Sequence, residues 1–308
     1  MTDSATTAGG VMSSGSTGQR RREALARALR RPRYEVLPLA GTADQVEQHV
    51  PRDLPVTVTA SPGHGIEPTL SLTETLVRRG FQAVPHLAAR LVRDEAQLTE
   101  ILQRMEQAPV RDVFVVAGDG QRPVGDFTDS LALLTAMQRL RQAGVGRRLE
   151  RVGVAGYPQG HPIIADEELT RALHAKQPLS SYLVSQMCFD PRAVSAWVTQ
   201  MMELGLRMPV HLGVAGVVDQ RRLLRIATRI GVGSSAQFLR KHRYGLVRLA
   251  LPGGYRPDRL LRQLAVELAE PARPVVGLHI YTLGDVAATE RWRRRALAGL
   301  TGDEPRNG

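Results

Sequence analysis

The sequence predicts an α/β protein folded as a (β/α)8 TIM barrel, with extra helices between strands seven and eight. Three observations carry that expectation. Eight short apolar, β-branched segments recur along the 308 residues, with helical patterns between them. Alternation repeated eight times implies a parallel sheet closed on itself. The alternation spans residues 33–298, near the ~250 residues usual for such a barrel.

The predicted strands are Tyr34–Leu37, Val56–Thr59, Ala83–Leu87, Val113–Ala117, Val152–Gly156, Tyr182–Met187, Val210–Val214 and Val275–Tyr281. Several are continuous apolar runs, as strands buried on both faces require. Glu67–Arg79 is a predicted helix that stops at Gly80, a residue that favours helix ends. Asp94–Gln107 places Leu98, Ile101, Leu102 and Met105 at helical spacing. Ser130–Ala143 stops at Gly144, Pro191–Leu204 at Gly205 and Asp219–Ile230 at Gly231. Ser234–His242 and Arg256–Glu270 supply the extra helices before the last strand. A doubly wound open sheet is the competing fold, and the lack of G-x-G-x-x-G after strand one weighs against it. Residues 1–32 read as a disordered basic tail, because Met1–Gln19 is Ser-, Thr- and Gly-rich without the apolar stretch of a leader peptide. Residues 299–308 read as a C-terminal tail.

Composition narrows the function classes. Only 4% of residues are aromatic, so Leu, Val, Ala and Ile must fill the core. No apolar run approaches the ~18 residues of a membrane helix. The single Cys188 excludes an internal disulfide and a Cys-based zinc cluster. A cytoplasmic location is the expectation. The net charge of +11 comes from scattered Arg without interleaved aromatics or a nucleic-acid motif. The expected partners are therefore small anionic molecules, with neither nucleic acid nor membrane among them.

Polar groups at the strand ends suggest a site on one rim, where barrel enzymes bind ligands. Glu35 sits inside the apolar run of strand one. Thr59 ends strand two, His86 strand three, and Gly118-Asp119 strand four. Strand five leads to Tyr157 and His161, strand six to Gln186 and Asp190, and strand eight to His279 and Tyr281. Duller readings stay open for each. Glu35 could face outward and pair with a helix Arg. His86 and His279 could be core histidines donating to carbonyls. Asp119 and Asp190 could be turn or capping residues. Ser61 with His64 lacks the orienting acid of a hydrolase triad. No His or Asp cluster on one element suggests a metal.

Gly156-Tyr157-Pro158 with His161-Pro162, Val184-Ser185-Gln186-Met187-Cys188-Phe189-Asp190 and His279-Ile280-Tyr281-Thr282-Leu283 are the strongest motifs. Tyr34-Glu35, Val56-Thr57-Val58-Thr59, Val84-Pro85-His86-Leu87 and Gly118-Asp119 accompany them in order. Taken together they resemble the catalytic barrel of the methylenetetrahydrofolate reductase family, in a short, divergent, actinobacterial-type branch. The resemblance implies reduction of 5,10-methylenetetrahydrofolate to 5-methyltetrahydrofolate in one-carbon and methionine metabolism. It implies NADH or NADPH as hydride source, usually through FAD. Glu35 would be the general acid that protonates N10. Asp119, Gln186 and Tyr281 would hold the folate. Thr59, His86, Gly118, Tyr157, His161 and Lys176 would contact the cofactor.

Two positions depart from the family pattern. Ala60 stands where an aromatic residue commonly lies against the flavin, and Ala117 where an Arg commonly pairs with cofactor phosphates. Weak FAD binding is therefore the expectation, and direct hydride transfer from the nicotinamide stands beside the flavoenzyme reading. A one-carbon transfer or demethylation protein using the same site, and a non-catalytic barrel subunit, are the other readings. The sequence does not indicate an oligomeric state.

Overall fold

A computed structural model describes residues 13–60, 63–119, 122–161, 164–217 and 256–302. Eight parallel strands close in sequence order into one barrel, with β8 returning to pair with β1. The strands are β1 Arg33–Val36, β2 Val56–Val58, β3 Ala83–Ala88, β4 Asp112–Val116, β5 Arg151–Gly156, β6 Tyr182–Ser185, β7 Val210–Ala215 and β8 Val275–Tyr281. The helices, numbered among the described residues, are α1 Ser13–Arg30, α2 Thr42–His49, α3 Glu67–Arg78, α4 Glu95–Gln107, α5 Ser130–Gln142, α6 Asp166–Lys176, α7 Pro191–Glu203, α8 Asp258–Ala269 and α9 Val286–Thr301.

The expected helices α3, α4, α5, α7 and α8 all form. Asp94 and Asp129 cap α4 and α5 by accepting amide hydrogen bonds from Gln97 and from Leu131 and Ala132. Asp190 caps α7 through the Arg192 amide, so its role is structural. Strand six stops at Ser185, two residues earlier than expected, because the Gln186 side chain accepts from the Met187 amide and turns the chain there. Expected helices Asp219–Ile230 and Ser234–His242 lie outside the described residues.

The N-terminal segment differs from its reading as a disordered tail. Residues 13–30 form α1, which packs on α8, α9 and β8. Ala24, Leu25, Ala28 and Leu29 are buried, a helical stripe that the Ser- and Gly-rich start conceals. Arg22 donates to the carbonyls of Gly299 and Leu300, and Arg293 to that of Leu29. Among the described residues no helix is long and apolar enough to cross a membrane.

Strand alternation sorts side chains between two layers. Tyr34, Val36, Val56 and Val58 face outward into a cluster under α2 and α3. The barrel interior holds a small apolar cluster of Val84, Phe114, Tyr182 and Val184. The rest of the interior is polar, and it builds the site.

Candidate active site

Glu35 follows Arg33 by two residues on β1, so both face the interior. Its carboxylate Oε2 lies 3.0 Å from His279 Nε2 of β8 and 3.5 Å from His86 Nε2 of β3. The His279 contact is a hydrogen bond, whereas His86 Nε2 makes none among the described residues. Phe114 of β4 holds both imidazoles, with ring centroids 4.8 Å from His86 and 6.5 Å from His279. Tyr281 lies edge-on to His279 at 4.9 Å and donates to the Ser185 carbonyl. Ser185 in turn accepts the Gly213 amide, so β6, β7 and β8 lock together beneath the rim.

This environment changes the acid–base character of each group. Burial pushes the Glu35 carboxyl up to about 7, against a smaller lowering by the His86 charge. Burial pushes His86 down to about 4 and His279 down to about 3, and the Arg33 charge adds to both shifts. At neutral pH the imidazoles are therefore uncharged, and a substantial fraction of Glu35 keeps its proton. Burial also raises Tyr281 well above the usual phenol range, and Tyr157 to about 12, so both remain donors.

Beneath the acid lies a second polar layer that sequence reading did not single out. Arg33 pairs with Asp112 at 3.0 Å and donates to the Tyr182 hydroxyl at 2.6 Å. That hydroxyl donates to Asp112 at 2.9 Å. His211 of β7 meets the Tyr182 ring edge-on at 5.6 Å. The available signal was strand parity. Arg33 and Glu35 share a face, as do His279 and Tyr281, and as do Tyr182 and Gln186.

The structure brings Glu35, His86 and Tyr281 together and adds His279 to them. The reading of Glu35 as an outward-facing acid does not hold, and neither does that of His279 as a carbonyl-bonded core histidine. At the rim, Gly118 has φ 92°, a conformation that favours glycine. Asp119 follows it and is exposed, and its charge acts on Tyr157. The Tyr157 and His161 rings meet edge-on at 5.2 Å. Thr59 is half-buried at the end of β2, and its amide donates to the Val36 carbonyl. Gln186 accepts the Met187 amide with its own Oε1 at the turn that ends β6. Lys176 is buried in a cleft walled by α6, α7 and the end of β5, which Tyr157, Pro158 and Gly160 also line. Burial holds its amine below the usual range, and the Asp129 charge partly offsets this. Among the described residues no group of three or more His, Cys, Asp or Glu is arranged to hold a metal.

A family model described as methylenetetrahydrofolate reductase matches residues 32–246. Among solved structures, the chain resembles a Clostridium thermocellum protein that binds two copies of 5-methyl-5,6,7,8-tetrahydrofolic acid, at 10% identity and TM-score 0.50. That match covers 92% of this chain and 97% of the other. A Burkholderia cenocepacia protein described as a phosphonomutase matches at 16% identity and TM-score 0.42, over 75% of this chain and 98% of the other. A second protein from that organism, described as a lyase or mutase, matches at 13% identity and TM-score 0.47, over 93% and 87%. At these identities the likeness is one of fold.

Proposed function

The chain belongs to the methylenetetrahydrofolate reductase family, and from that premise we propose that it reduces 5,10-methylenetetrahydrofolate to 5-methyltetrahydrofolate with NADH or NADPH. The feature that carries this reading is the Glu35 carboxyl, buried 3.0 Å from His279 and 3.5 Å from His86 and pushed up to about 7 by burial. A general acid needs its proton at working pH and a fixed orientation. Burial supplies the first. His279 supplies the second: with its proton on Nε2 it donates to Oε2 and leaves Oε1 to carry the acid proton toward N10. Loss of the N10 bond leaves an N5 iminium, and hydride addition at its methylene carbon completes the reduction. Asp119, the Gln186 amide and Tyr281 offer hydrogen bonds to the pterin edge. The folate that the Clostridium thermocellum barrel binds supports the same ligand class here.

The described residues fit FAD poorly. Ala60 and Ala117 bring no ring and no cation. Arg90, whose Cβ neighbours Gly118, uses its Nε on the Thr128 carbonyl. Lys176 lines the cleft behind β5. In this reading Thr59, His86, Gly118, Tyr157 and His161 would hold a nicotinamide dinucleotide at the mouth, and that group would supply the hydride without a flavin between. The test is anaerobic incubation of purified protein with NADH or NADPH and methylenetetrahydrofolate, with separation of the folates. Formation of 5-methyltetrahydrofolate equal to nicotinamide oxidised supports the reading. Folate binding without reduction by either nucleotide, with or without added FAD, refutes it in favour of a binding or transfer role.

A further inference from the structure

We propose that Asp166, at the open end of the cleft that holds Lys176, is a specificity-determining residue: it accepts the hydroxyls of an adenosine ribose and repels a 2′-phosphate, so that the chain takes NADH in preference to NADPH. The inference rests on the reading of a nicotinamide dinucleotide as the hydride source and names which one it is.

The cleft is continuous with the mouth. Tyr157 lines it and also meets His161 edge-on at the rim. One wall is a single face of α6, where Asp166, Leu169, Leu173 and Lys176 recur at helical spacing. Trp197 of α7 closes the back, its ring seated where a Cβ on Gly156 would stand. The space encloses about 630 Å³ with its open side included, the size of a small-molecule site. An apolar middle walled by a flat ring suits a purine base.

Charge is distributed unevenly along that face. Lys176 is 8% exposed and, among the described residues, its amine makes no hydrogen bond and no ion pair. A buried amine without a partner is matched by an anion, and an entering phosphate restores the charge that burial opposes. The other end is acidic. α6 opens with Asp166, Glu167 and Glu168, and no side chain caps it. The free amides of a helix N-terminus ordinarily draw phosphate, but three carboxylates in the first turn oppose that here. A Cβ added to Gly160 would stand 2.5 Å from Asp166 Oδ1, so the loop backbone passes directly beside this carboxylate. Arg171, five positions further on, does not line the cleft, which leaves Lys176 as the one cation on this face of α6. The two ends lie about 15 Å apart along the helix, and the lysine chain leans back toward the N-terminus. One nucleotide can therefore span them. A diphosphate at Lys176 turns the adenosine ribose toward Asp166. A carboxylate accepts hydrogen bonds from an unmodified ribose diol. It repels a phosphate that replaces one of those hydroxyls.

The experiment is isothermal titration calorimetry of the full chain with NADH, NADPH and FAD, in the absence of folate. Wild type is expected to bind NADH at least ~10-fold more tightly than NADPH. Asp166→Asn keeps the shape of the rim and is expected to bring the two affinities at least ~3-fold closer, the scale of one exposed charge. Lys176→Met is expected to weaken both nucleotides by at least ~10-fold and to leave their ratio unchanged. Far-UV circular dichroism identifies which variants fold, and if Lys176→Met does not, the ratio in Asp166→Asn decides. Equal affinities in wild type, an unmoved ratio in Asp166→Asn, or undiminished binding in folded Lys176→Met would overturn the proposal. FAD carries the same adenosine diphosphate half. FAD bound more tightly than NADH, and weakened by Lys176→Met, would assign the cleft to a flavin and overturn it as well. NADH-selective binding without folate reduction would sink the reductase reading and leave this assignment standing. Folate reduction that runs equally well on NADPH would do the reverse.

Discussion

Replacing Glu35 by Gln should inactivate the protein and stabilise it, and the pH dependence of the second effect identifies its cause. The Glu35 carboxyl is raised from 4.5 to about 7 by burial. The folded state therefore holds this proton more tightly than the unfolded chain does. The associated stability is fully present below about pH 4.5 and is lost as pH rises through 7. Each pKa unit corresponds to ~1.4 kcal/mol, so ionised Glu35 opposes folding by about 3 kcal/mol above that window. Gln keeps the shape and can still bond His279 but carries no charge. Urea unfolding should show Glu35→Gln more stable than wild type by about 1–3 kcal/mol at pH 8, once imperfect amide contacts are allowed for, and nearly equal at pH 4.5. His86 and His279 are held low, so their effect on stability appears as pH falls through the ordinary imidazole range in both proteins and cancels in the comparison. Folate reduction should fall by at least ~100-fold, the usual contribution of a positioned acid. Wild-type turnover should also decline as pH rises through about 7, where the acid form disappears. Turnover in Glu35→Gln within a few-fold of wild type, or equal stability at both pH values, would refute the argument.

Three further outcomes are expected. Asp119→Asn and Gln186→Ala should each weaken folate binding, by ~1–3 kcal/mol for the half-buried Gln186 and by less for exposed Asp119, as isothermal calorimetry would show. The protein should purify with substoichiometric FAD, and added FAD should not strongly stimulate turnover. The missing ring and guanidinium weaken flavin binding by about two to three orders of magnitude, and a yellow preparation with one tight FAD per chain would overturn this. Gly153→Ala should lose ~1–3 kcal/mol in urea unfolding, because its Cβ would meet the Tyr182 ring, which Arg33 and Asp112 hold in place; unchanged stability would show that the barrel floor is loose.

The sequence revealed the strands and the acid better than it revealed their company. Glu35 stood out because an acid inside an apolar run has few innocent explanations. Its partners His86 and His279 lie 51 and 244 residues away, and only closure of β8 onto β1 brings the three to one point. Ring closure is a global property that no local pattern encodes. Lys176 was legible only as a position near a cofactor contact, because spacing along a sequence does not tell which cleft a side chain enters; the structure places it in one that Tyr157 also lines. The helix at residues 13–30 was missed because the composition of the first 19 residues outweighed a short stripe of Ala and Leu.

The polar barrel interior follows the same logic at the level of energy. An interior of Val and Leu would be more stable, since a buried ion pair such as Arg33–Asp112 gains little over apolar packing. Tyr182 binds both charges through one hydroxyl, and Gly153 makes room for its ring. These residues build a floor in which the Arg33 charge is paired with Asp112 beneath a single carboxyl. A floor with net negative charge would draw protons onto His279. One with net positive charge would ionise Glu35. The paired floor leaves burial as the dominant influence on Glu35, and burial alone favours the protonated acid. The stability given up in the interior is thus concentrated where the proposed chemistry requires a neutral acid at neutral pH.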